Sequence, residues 1–502
     1  MPRAPIVPNK AWSRRNADEY RSPGGYARCR ETIARRRCLP GMLSVRINRM
    51  LVAFLRSPSL AVAGAYGLRM LLFWLSHHNE DFAHPKYETV GMENNLVALS
   101  LATGKGFFGP YPGYAAITAV IAPVYPFLSA IGYKLFHLDA FAGVIFCQTM
   151  NSAFSAATCW PIHGIGKKIF GEKVGIAAAW MWVLLPYAVL YPLEWIWDQS
   201  LAALMLALIV WATFGLLESA SPLRWSGYGL LWGFTAMVNP TTCILLPFLL
   251  AWVVFRRWRS AQPSAALVMR TILLFVLALL PWTIRNYYAV DGFVFVKSNF
   301  GLELWLGNNP AVKEVVSQDL HPISDYRERV QLILNGEPNY NRFKEKQAIA
   351  YIRSHPRIFL KNTFDRILDN WAATYDSRID PWIPMLHLTK ADIWFCSLFS
   401  VLSFAGMILA LRANFLDSLP LAVCLLVFPI PYYITHTGLR YRHPIDPFMA
   451  ILTMYALFRL FSTLHGRLTF DQRKGAIGMQ TSAPAGAATT FTDRLAKSPL
   501  QR

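Results

Sequence analysis

Long apolar runs alternate with polar segments along the whole chain. A helix that crosses the hydrocarbon core of a bilayer needs about 20 apolar residues. Runs of that kind recur, and one shorter pair breaks at Asn239-Pro240. The pattern therefore predicts an all-α polytopic membrane protein. We expect about ten spanning helices, near residues 57–77, 140–163, 174–192, 199–218, 225–239, 241–255, 268–290, 390–411, 418–436 and 446–464.

A first outer loop, residues 78–139, follows the first span. It carries five acidic residues and three lysines, and a short helical stretch begins near Glu93. The run 117–137 is long enough to span, but two prolines interrupt it. A span there would also place the lysine-rich loop 166–173 outside the cytoplasm, against the positive-inside rule. We therefore predict juxtamembrane helices in this loop, with 117–137 at the membrane interface, and keep a span at 117–137 as the alternative.

A second polar segment, residues 291–387, is too long for a simple connection. Apolar and charged positions alternate near the helical period over 324–334 and 340–371. His355-Pro356 breaks the longer stretch, because a proline disrupts the helix that precedes it. We predict a helical outer segment, and a loop of this length in a compact protein is more often functional than not.

Charge is concentrated towards the two ends of the chain. Hydrophobic residues make up 54% of the sequence and charged residues 16%, against roughly 25% charged in ordinary soluble proteins. The net charge is +20, and residues 1–57 hold 13 lysines and arginines against 3 acidic residues. Cations that flank apolar runs mark cytoplasmic segments, so we expect both termini in the cytoplasm, contact with membrane lipids and no nucleic-acid partner.

Hydropathy and charge together predict five parts in an integral, multi-pass membrane protein. They are a basic cytoplasmic tail at 1–56, a transmembrane module at 57–290 with the outer loop 78–139, a large exoplasmic loop at 291–387, C-terminal transmembrane helices at 388–464 and a disordered cytoplasmic tail at 465–502.

Polar groups with catalytic potential gather at the predicted outer ends of the helices rather than along a central pore. Carboxylates beside cations at the face of a bilayer suit a reaction on a lipid-borne anionic substrate. A carboxylate can take a proton from an acceptor hydroxyl or amine, while an arginine fork binds phosphate oxygens and stabilises a departing phosphate. The candidate residues are the carboxylates Glu88, Glu93 and Asp198 and the cations Lys297, Arg440 and Arg442.

Each of these residues also has a purely structural interpretation. Glu93 begins an amphipathic helix, where an anion favours the helix dipole. Asp198 precedes an apolar helix and could serve as its N-cap. Arg440 and Arg442 could be interfacial anchors whose charged heads reach the lipid headgroups. The sequence leaves both interpretations open.

A histidine-rich stretch near the first outer loop is the sequence feature closest to a metal site. His77, His78 and His84 lie near Glu80, but their spacing fits no standard zinc pattern. We predict no required cofactor and leave a divalent metal open.

Six short motifs resemble those of polytopic glycosyltransferases of the GT-C superfamily, especially bacterial members of the glycosyltransferase family 39 type. That type includes protein mannosyltransferases and lipid A aminoarabinose transferases. The resemblance extends over about residues 57–464. Its motifs are ENNLVALSLATGKGF (93–107), APVYPFLSAIGYKLF (122–136), LEWIWDQSLAAL (193–204), PWTIRNY (281–287), SNFGLELWLGNNP (298–310) and LRYRHPIDP (439–447).

The resemblance implies a helical membrane module with a catalytic first outer loop. It implies an inverting transfer of a hexose or pentose from a polyprenyl- or dolichyl-phosphate donor to a protein, lipid or glycan acceptor. By position, it implies that Glu93 is the catalytic acid of loop one, with Glu88 as the rival, and that Asp198 is the second acid. The basic last turn, with Arg440 and Arg442, would engage the donor phosphate on the periplasmic side.

Two other functions compete with this interpretation. A transporter or lipid flippase would place charges or broken helices near the bilayer midplane, and Arg69 in the first span and the break at Asn239-Pro240 fit that class. A ligase or polymerase that uses a diphosphate-linked glycan would share the outer arginines with a transferase, so the sequence separates those two poorly.

Overall fold

The computed structural model describes residues 57–77, 92–194, 196–312, 316–374 and 390–480. These residues form helices and connecting loops, with an isolated antiparallel bridge between Phe108 and Ile117. Within them, seven helical stretches are long and apolar enough to cross a membrane, or eight if a bent pair counts as one span. The all-α polytopic expectation is confirmed, whereas the predicted number of about ten spans is not.

The helices before residue 290 are numbered here in chain order. They are α1 (Pro58–His77), α2 (Met92–Ala102), α3 (Val124–Leu135), α4 (Ala140–Ala157), α5 (Cys159–Phe170), α6 (Glu172–Leu184), α7 (Pro186–Glu194), α8 (Gln199–Leu216), α9 (Pro222–Val238), α10 (Leu246–Arg259) and α11 (Ala265–Ala289). A 3₁₀ turn, Pro240–Leu245, lies between α9 and α10.

Prolines set the breaks between these helices. Asn239 precedes Pro240 and is extended, with φ −146° and ψ 101°, because a residue before proline is pushed out of the helical region. Its side-chain oxygen accepts the Thr241 amide at 3.1 Å and caps the turn that follows. The helices α6 and α7 meet at a 46° bend just before Pro186. The predicted break at Asn239-Pro240 is thus confirmed.

The juxtamembrane helices of the first outer loop are α2 and α3. With 11 and 12 residues, they are about 17 and 18 Å long, well short of the roughly 30 Å hydrocarbon core. The helix α3 packs against α4 with little space, since a Cβ on Gly132 would collide with the Phe146 ring and one on Gly143 with the Tyr133 ring. The prediction that 117–137 does not form a spanning helix is confirmed.

The segment 291–374 contains four further α-helices. They are α12 (Phe300–Gly307), α13 (Tyr326–Asn335), α14 (Glu337–Ser354) and α15 (Pro356–Ala372). His355 separates α14 from α15, as its position before Pro356 predicted.

A buried carboxylate attaches this segment to the first outer loop. Glu337 is 2% exposed and accepts hydrogen bonds from the Ala119 amide at 2.8 Å and the Ser298 hydroxyl at 3.0 Å. The Tyr114 hydroxyl donates to the same carboxylate at 3.3 Å. Burial raises the pKa of Glu337, and these donors oppose that shift. Because buried polar groups need partners, this network fixes how the two loops meet.

The C-terminal helices complete the bundle. Glycine at position 406 lets α16 (Lys390–Ala413) and α20 (Asp446–Gln480) approach closely, because a Cβ there would collide with the Leu452 carbonyl. The last helix continues past residue 464 to Gln480, so residues 465–480 of the tail predicted to be disordered are helical instead. Residues 481–502 lie outside the described residues. These helices are α16 (Lys390–Ala413), α17 (Phe415–Val427), α18 (Ile430–Ile434), α19 (Leu439–Arg442) and α20 (Asp446–Gln480).

Candidate active site

The turn before α20 places Arg440 against Trp197, the residue that precedes Asp198. The Arg440 guanidinium lies 3.8 Å from the centre of the Trp197 ring and 4.8 Å from that of Tyr441. It also donates a hydrogen bond to the Tyr441 hydroxyl at 2.8 Å. Stacking on aromatic rings holds the planar guanidinium in one orientation.

Asp198 lies at the start of α8. Within the part of the chain that the structure describes, its side chain caps no amide of α8, so the N-cap interpretation is not supported. Burial raises the pKa of Asp198, while Lys297, a hydrogen bond from Asn239 and Arg440 act in the opposite direction. Lys297 and Arg440 therefore both favour the ionised form of Asp198.

A second acidic residue, Glu303 on α12, pairs with a histidine of the last outer turn. Its carboxylate contacts the His436 Nε2 atom at 2.5 Å and accepts a hydrogen bond from the Asn299 amide at 2.5 Å. Burial alone would raise the pKa of Glu303, but His436, Lys297 and His321 outweigh it and lower the pKa to about 2. Glu303 is therefore ionised at neutral pH.

Glu93 lies in the first turn of α2 and faces a histidine from the second polar segment. The His321 Nε2 atom is 3.9 Å from the Glu93 Oε1 atom. The His321 ring is nearly buried and also meets the edge of the Tyr111 ring, with centres 5.5 Å apart. Burial lowers the pKa of His321, and Glu93 and Glu303 partly oppose that shift. The site is thus built from the first outer loop, the helical segment 291–374 and the last turn.

Shared electrostatic partners link these side chains. Lys297 acts on both Asp198 and Glu303, and Arg440 acts on both Asp198 and His321. We call this group the acid–cation cluster. Its members are Glu93, Asp198, Lys297, Glu303, His321, His436 and Arg440.

One of the residues predicted from the sequence, Arg442, is not part of the acid–cation cluster. Arg442 is 1% exposed and is paired with Asp446 at 2.9 Å. It also donates to the Asn370 carbonyl at 3.2 Å, so its guanidinium stabilises the packing of α15 against the last turn. Glu88 lies outside the described residues.

Glu303 and His321 are two members of the cluster that the sequence did not single out. Both lie in the long polar segment, where acids and histidines are frequent and few signals separate a site from a surface. One signal was present at each position. Asn299 and Glu303 are four residues apart, which suits a contact within one helical turn, and His321 precedes Pro322, which favours a fixed turn.

Metal binding has no support from the described part of the chain. In that part, no group of three or more His, Cys, Asp or Glu side chains is arranged to hold a metal ion. His78, Glu80 and His84 of the histidine-rich stretch lie outside it, so the divalent metal stays an open prediction.

Comparison with known proteins gives a family match and a set of similar folds. Residues 120–282 match the sequence profile of the dolichyl-phosphate-mannose-protein mannosyltransferase family. No curated protein sequence matches the chain. Among solved structures, the oligosaccharyltransferase of Archaeoglobus fulgidus in the apo form is 12% identical, with a TM-score of 0.50, over 84% of this chain and 52% of that one.

Two further structures are similar at lower scores. AglB from Archaeoglobus fulgidus, in complex with an inhibitory peptide and a dolichol-phosphate, is 12% identical over 87% of this chain and 52% of that one, with a TM-score of 0.49. ArnT from Cupriavidus metallidurans, bound to undecaprenyl phosphate, is 12% identical over 80% of this chain and 77% of that one, with a TM-score of 0.33.

The chain spans about half the length of the archaeal enzymes that it matches. At 12% identity, the likeness to the apo enzyme establishes the fold and nothing more. In the sequence of residues 120–282 and in its fold, the chain is thus similar to GT-C glycosyltransferases, as its six motifs predicted.

Proposed function

We propose that the protein is an integral membrane glycosyltransferase. It transfers a sugar from a polyprenyl-phosphate-linked donor to a protein, lipid or glycan acceptor on the exoplasmic face. The observation that carries this proposal is the acid–cation cluster, in which Lys297 and Arg440 act on Asp198 and Glu93 faces His321. The match of residues 120–282 to a family named for a lipid-phosphate-mannose donor supports the donor class.

The cluster offers a group for each part of an inverting transfer. Glu93 takes the proton from the acceptor hydroxyl or amine as the acceptor atom bonds to the sugar C1. The bond from C1 to the phosphate oxygen breaks, and the electron pair leaves with polyprenyl phosphate. Arg440 and Lys297 stabilise the negative charge on that leaving group. Asp198, on whose charge both cations act, orients donor or acceptor.

We assign Arg442 a structural task in this proposal. Its guanidinium is held by Asp446 and by backbone carbonyls of the α15 end. A phosphate that displaced these partners would leave Asp446, itself 1% exposed, as an uncompensated buried charge. Arg440 and Lys297 therefore form the phosphate site.

We place the site on the exoplasmic side of a bacterial inner membrane, and the packing of the loops predicted to be cytoplasmic supports its separation from the cytoplasm. The loops predicted to be cytoplasmic converge there, through the ion pair of Lys168 with Glu218 and that of Arg256 with Asp417, which line one cavity. The acid–cation cluster is formed instead by the loops predicted to be exoplasmic. Both termini then lie in the cytoplasm, in line with the positive-inside rule.

Turnover of defined donors tests the proposal. Purified protein is incubated with synthetic polyprenyl-phosphate hexoses and pentoses, and free polyprenyl phosphate is quantified by mass spectrometry. We expect release with at least one donor, and slow hydrolysis even without an acceptor. Diphosphate-linked glycans are assayed in parallel, and turnover of those alone would indicate a ligase or polymerase instead.

Substitution of the proposed base makes that experiment more specific. Glu93→Gln keeps the size of the side chain but cannot take a proton, so we expect turnover to fall by roughly 100-fold or more. Asp319→Asn, which changes an exposed acid close to His321 in sequence, is the matched control and should turn over normally. Full activity of Glu93→Gln would reject the assignment of the base.

A further inference from the structure

The His321 ring has a fixed tautomer in this structure. The Ile323 backbone N–H donates a hydrogen bond to the His321 Nδ1 atom at 3.1 Å. An atom that accepts a hydrogen bond carries a lone pair, so the single ring proton of the neutral imidazole must be on Nε2. Nε2 is the atom that faces Glu93, at 3.9 Å from Oε1.

The orientation of this ring is set by residues other than Glu93. The His321 carbonyl accepts the amides of Ser324 and Asp325, both at 2.8 Å, which forms a tight turn at Pro322. The Asp325 side chain then caps the first turn of α13. On its other side the ring rests against Tyr111, which belongs to a buried cluster shared by the two outer segments. The N–H of Nε2 is therefore held in place before any substrate binds.

We infer that His321 is a positioning residue that presents the Nε2 hydrogen to one oxygen of Glu93 and leaves the other oxygen for the acceptor. This inference rests on the proposed function, in which Glu93 is the base. A separation of 3.9 Å is longer than a hydrogen bond, and contacts of this kind tighten when the substrate is bound. His321 would thus stabilise the ionised form of Glu93 and fix the direction of the carboxylate oxygen that faces the acceptor.

A neutral donor suits this task better than a cation. A full positive charge beside Glu93 would make it a weaker base, whereas a neutral N–H orients the carboxylate at a smaller cost in basicity. Burial lowers the pKa of His321 and so favours the neutral ring. His436 and Arg440 act in the same direction, while Glu93 and Glu303 oppose it.

Two amide substitutions test the contacts of Nδ1 and of Nε2 separately. In His321→Asn the side-chain oxygen takes the position of Nδ1 and can keep the hydrogen bond with Ile323, but nothing reaches Glu93. In His321→Gln the side-chain amide reaches as far as Nε2 and can donate to Glu93, but the bond with Ile323 is lost. Asp319→Asn again serves as the control.

Two measurements are made on each variant. The first is the pH dependence of kcat with a polyprenyl-phosphate sugar, and the second is carbodiimide labelling of Glu93 at a series of pH values, read by peptide mass spectrometry. We expect His321→Asn to lower kcat at least about tenfold, since the hydrogen bond that Nε2 forms to Glu93 in the substrate complex is lost. Both the acid limb of kcat and the labelling midpoint of Glu93 should move to higher pH, because the nearby N–H dipole of Nε2 no longer favours the ionised carboxylate.

The outcomes distinguish this inference from the proposed function. His321→Gln should keep kcat within about threefold of the original and leave the labelling midpoint unchanged, which supports positioning through Nε2. An active His321→Asn protein with an unchanged profile and midpoint would overturn the inference and leave the transferase intact. A labelling midpoint that shifts in a protein releasing no polyprenyl phosphate from any donor would reject the transferase and support the contact of His321 with Glu93.

Discussion

Arg440 and Arg442 are two residues apart in the sequence but have different surroundings. Arg440 stacks on Trp197 within the acid–cation cluster, whereas Arg442 is paired with Asp446 inside the bundle. Both lie in the single turn α19, and a helix rotates by about 200° over two residues, so their side chains must leave in nearly opposite directions. The sequence could predict a basic turn but not which arginine belongs to the acid–cation cluster, because that depends on how the turn packs against the other segments.

Exchange of each arginine should therefore change a different property. Arg440→Lys keeps the charge but loses the planar fork, so we expect KM for the donor to rise by about tenfold with little change in unfolding temperature. Arg442→Met should lower the free energy of unfolding by about 3–5 kcal/mol, because Asp446 is left as an unpaired buried charge. Steady-state kinetics and thermal unfolding in detergent measure the two effects. A selective rise of KM in Arg442→Met would contradict the assignment.

Glu303 gives a residue-scale prediction in which pH is the variable. Its pKa is lowered to about 2 in the folded protein, below the ordinary value of about 4.3. A carboxylate with a depressed pKa adds stability above its unfolded pKa, and that stability is lost as the pH falls through the folded pKa. The protein should therefore be more stable than Glu303→Gln at neutral pH, by an amount that shrinks below about pH 4.3.

Thermal unfolding of both proteins at pH 7, 5 and about 3.5 checks this expectation. Asp319→Asn, which changes an exposed acid of the same segment, should show little pH-dependent difference. A stability difference for Glu303→Gln that stays constant down to about pH 3.5 would mean that Glu303 is not held ionised by its cationic neighbours.

At the scale of helices, a proline in α7 and the side chains that replace its missing hydrogen bond explain the packing of α1 on α7. Pro192 has no N–H, so the Ala188 carbonyl one turn earlier has no helical donor. Arg69 of α1 donates to that carbonyl at 2.8 and 3.0 Å, and Ser155 donates to it at 2.9 Å. The buried charge that favoured a transporter in the sequence thus has a structural task.

A double-mutant cycle tests this compensation. Arg69→Met should lower the free energy of unfolding by about 1–3 kcal/mol, because it removes the arginine donors of a buried carbonyl. Pro192→Ala restores an N–H at the position that normally bonds to Ala188. We therefore expect Arg69→Met to cost less in the Pro192→Ala background, by about 1 kcal/mol. Strict additivity of the two changes would show that the Ala188 carbonyl does not couple them.

The sequence predicted the breaks of the helices better than their partners. Asn239-Pro240 and His355-Pro356 end helices for local reasons, so both breaks were visible without tertiary information. The contacts of Glu337 with Ala119 and Ser298 join positions far apart in the chain. Such pairing depends on burial and on the shape of both partners, which a single sequence does not record.

At the scale of the whole molecule, the two ends of the bundle differ in how their charged side chains are arranged. One end gathers the loops that carry Lys168 and Arg256, and there each of these cations is paired with an acid. The other end gathers the acid–cation cluster from segments that are distant in sequence. Charge and hydropathy could predict this separation, since both are properties of segments. They could not predict Glu303 and His321 as members, because these residues reach the cluster only through the docking of segment 291–374.

A cryo-electron microscopy structure of the protein with polyprenyl phosphate tests the placement of the site most directly. We predict that the phosphate lies within hydrogen-bonding distance of Arg440 and Lys297, with Asp198 and Glu93 facing the side on which the sugar would be attached. The Asp319→Asn protein should bind it in the same way. A phosphate bound at the opposite end, among Lys168 and Arg256, or against Arg442 inside the bundle, would contradict the proposed site.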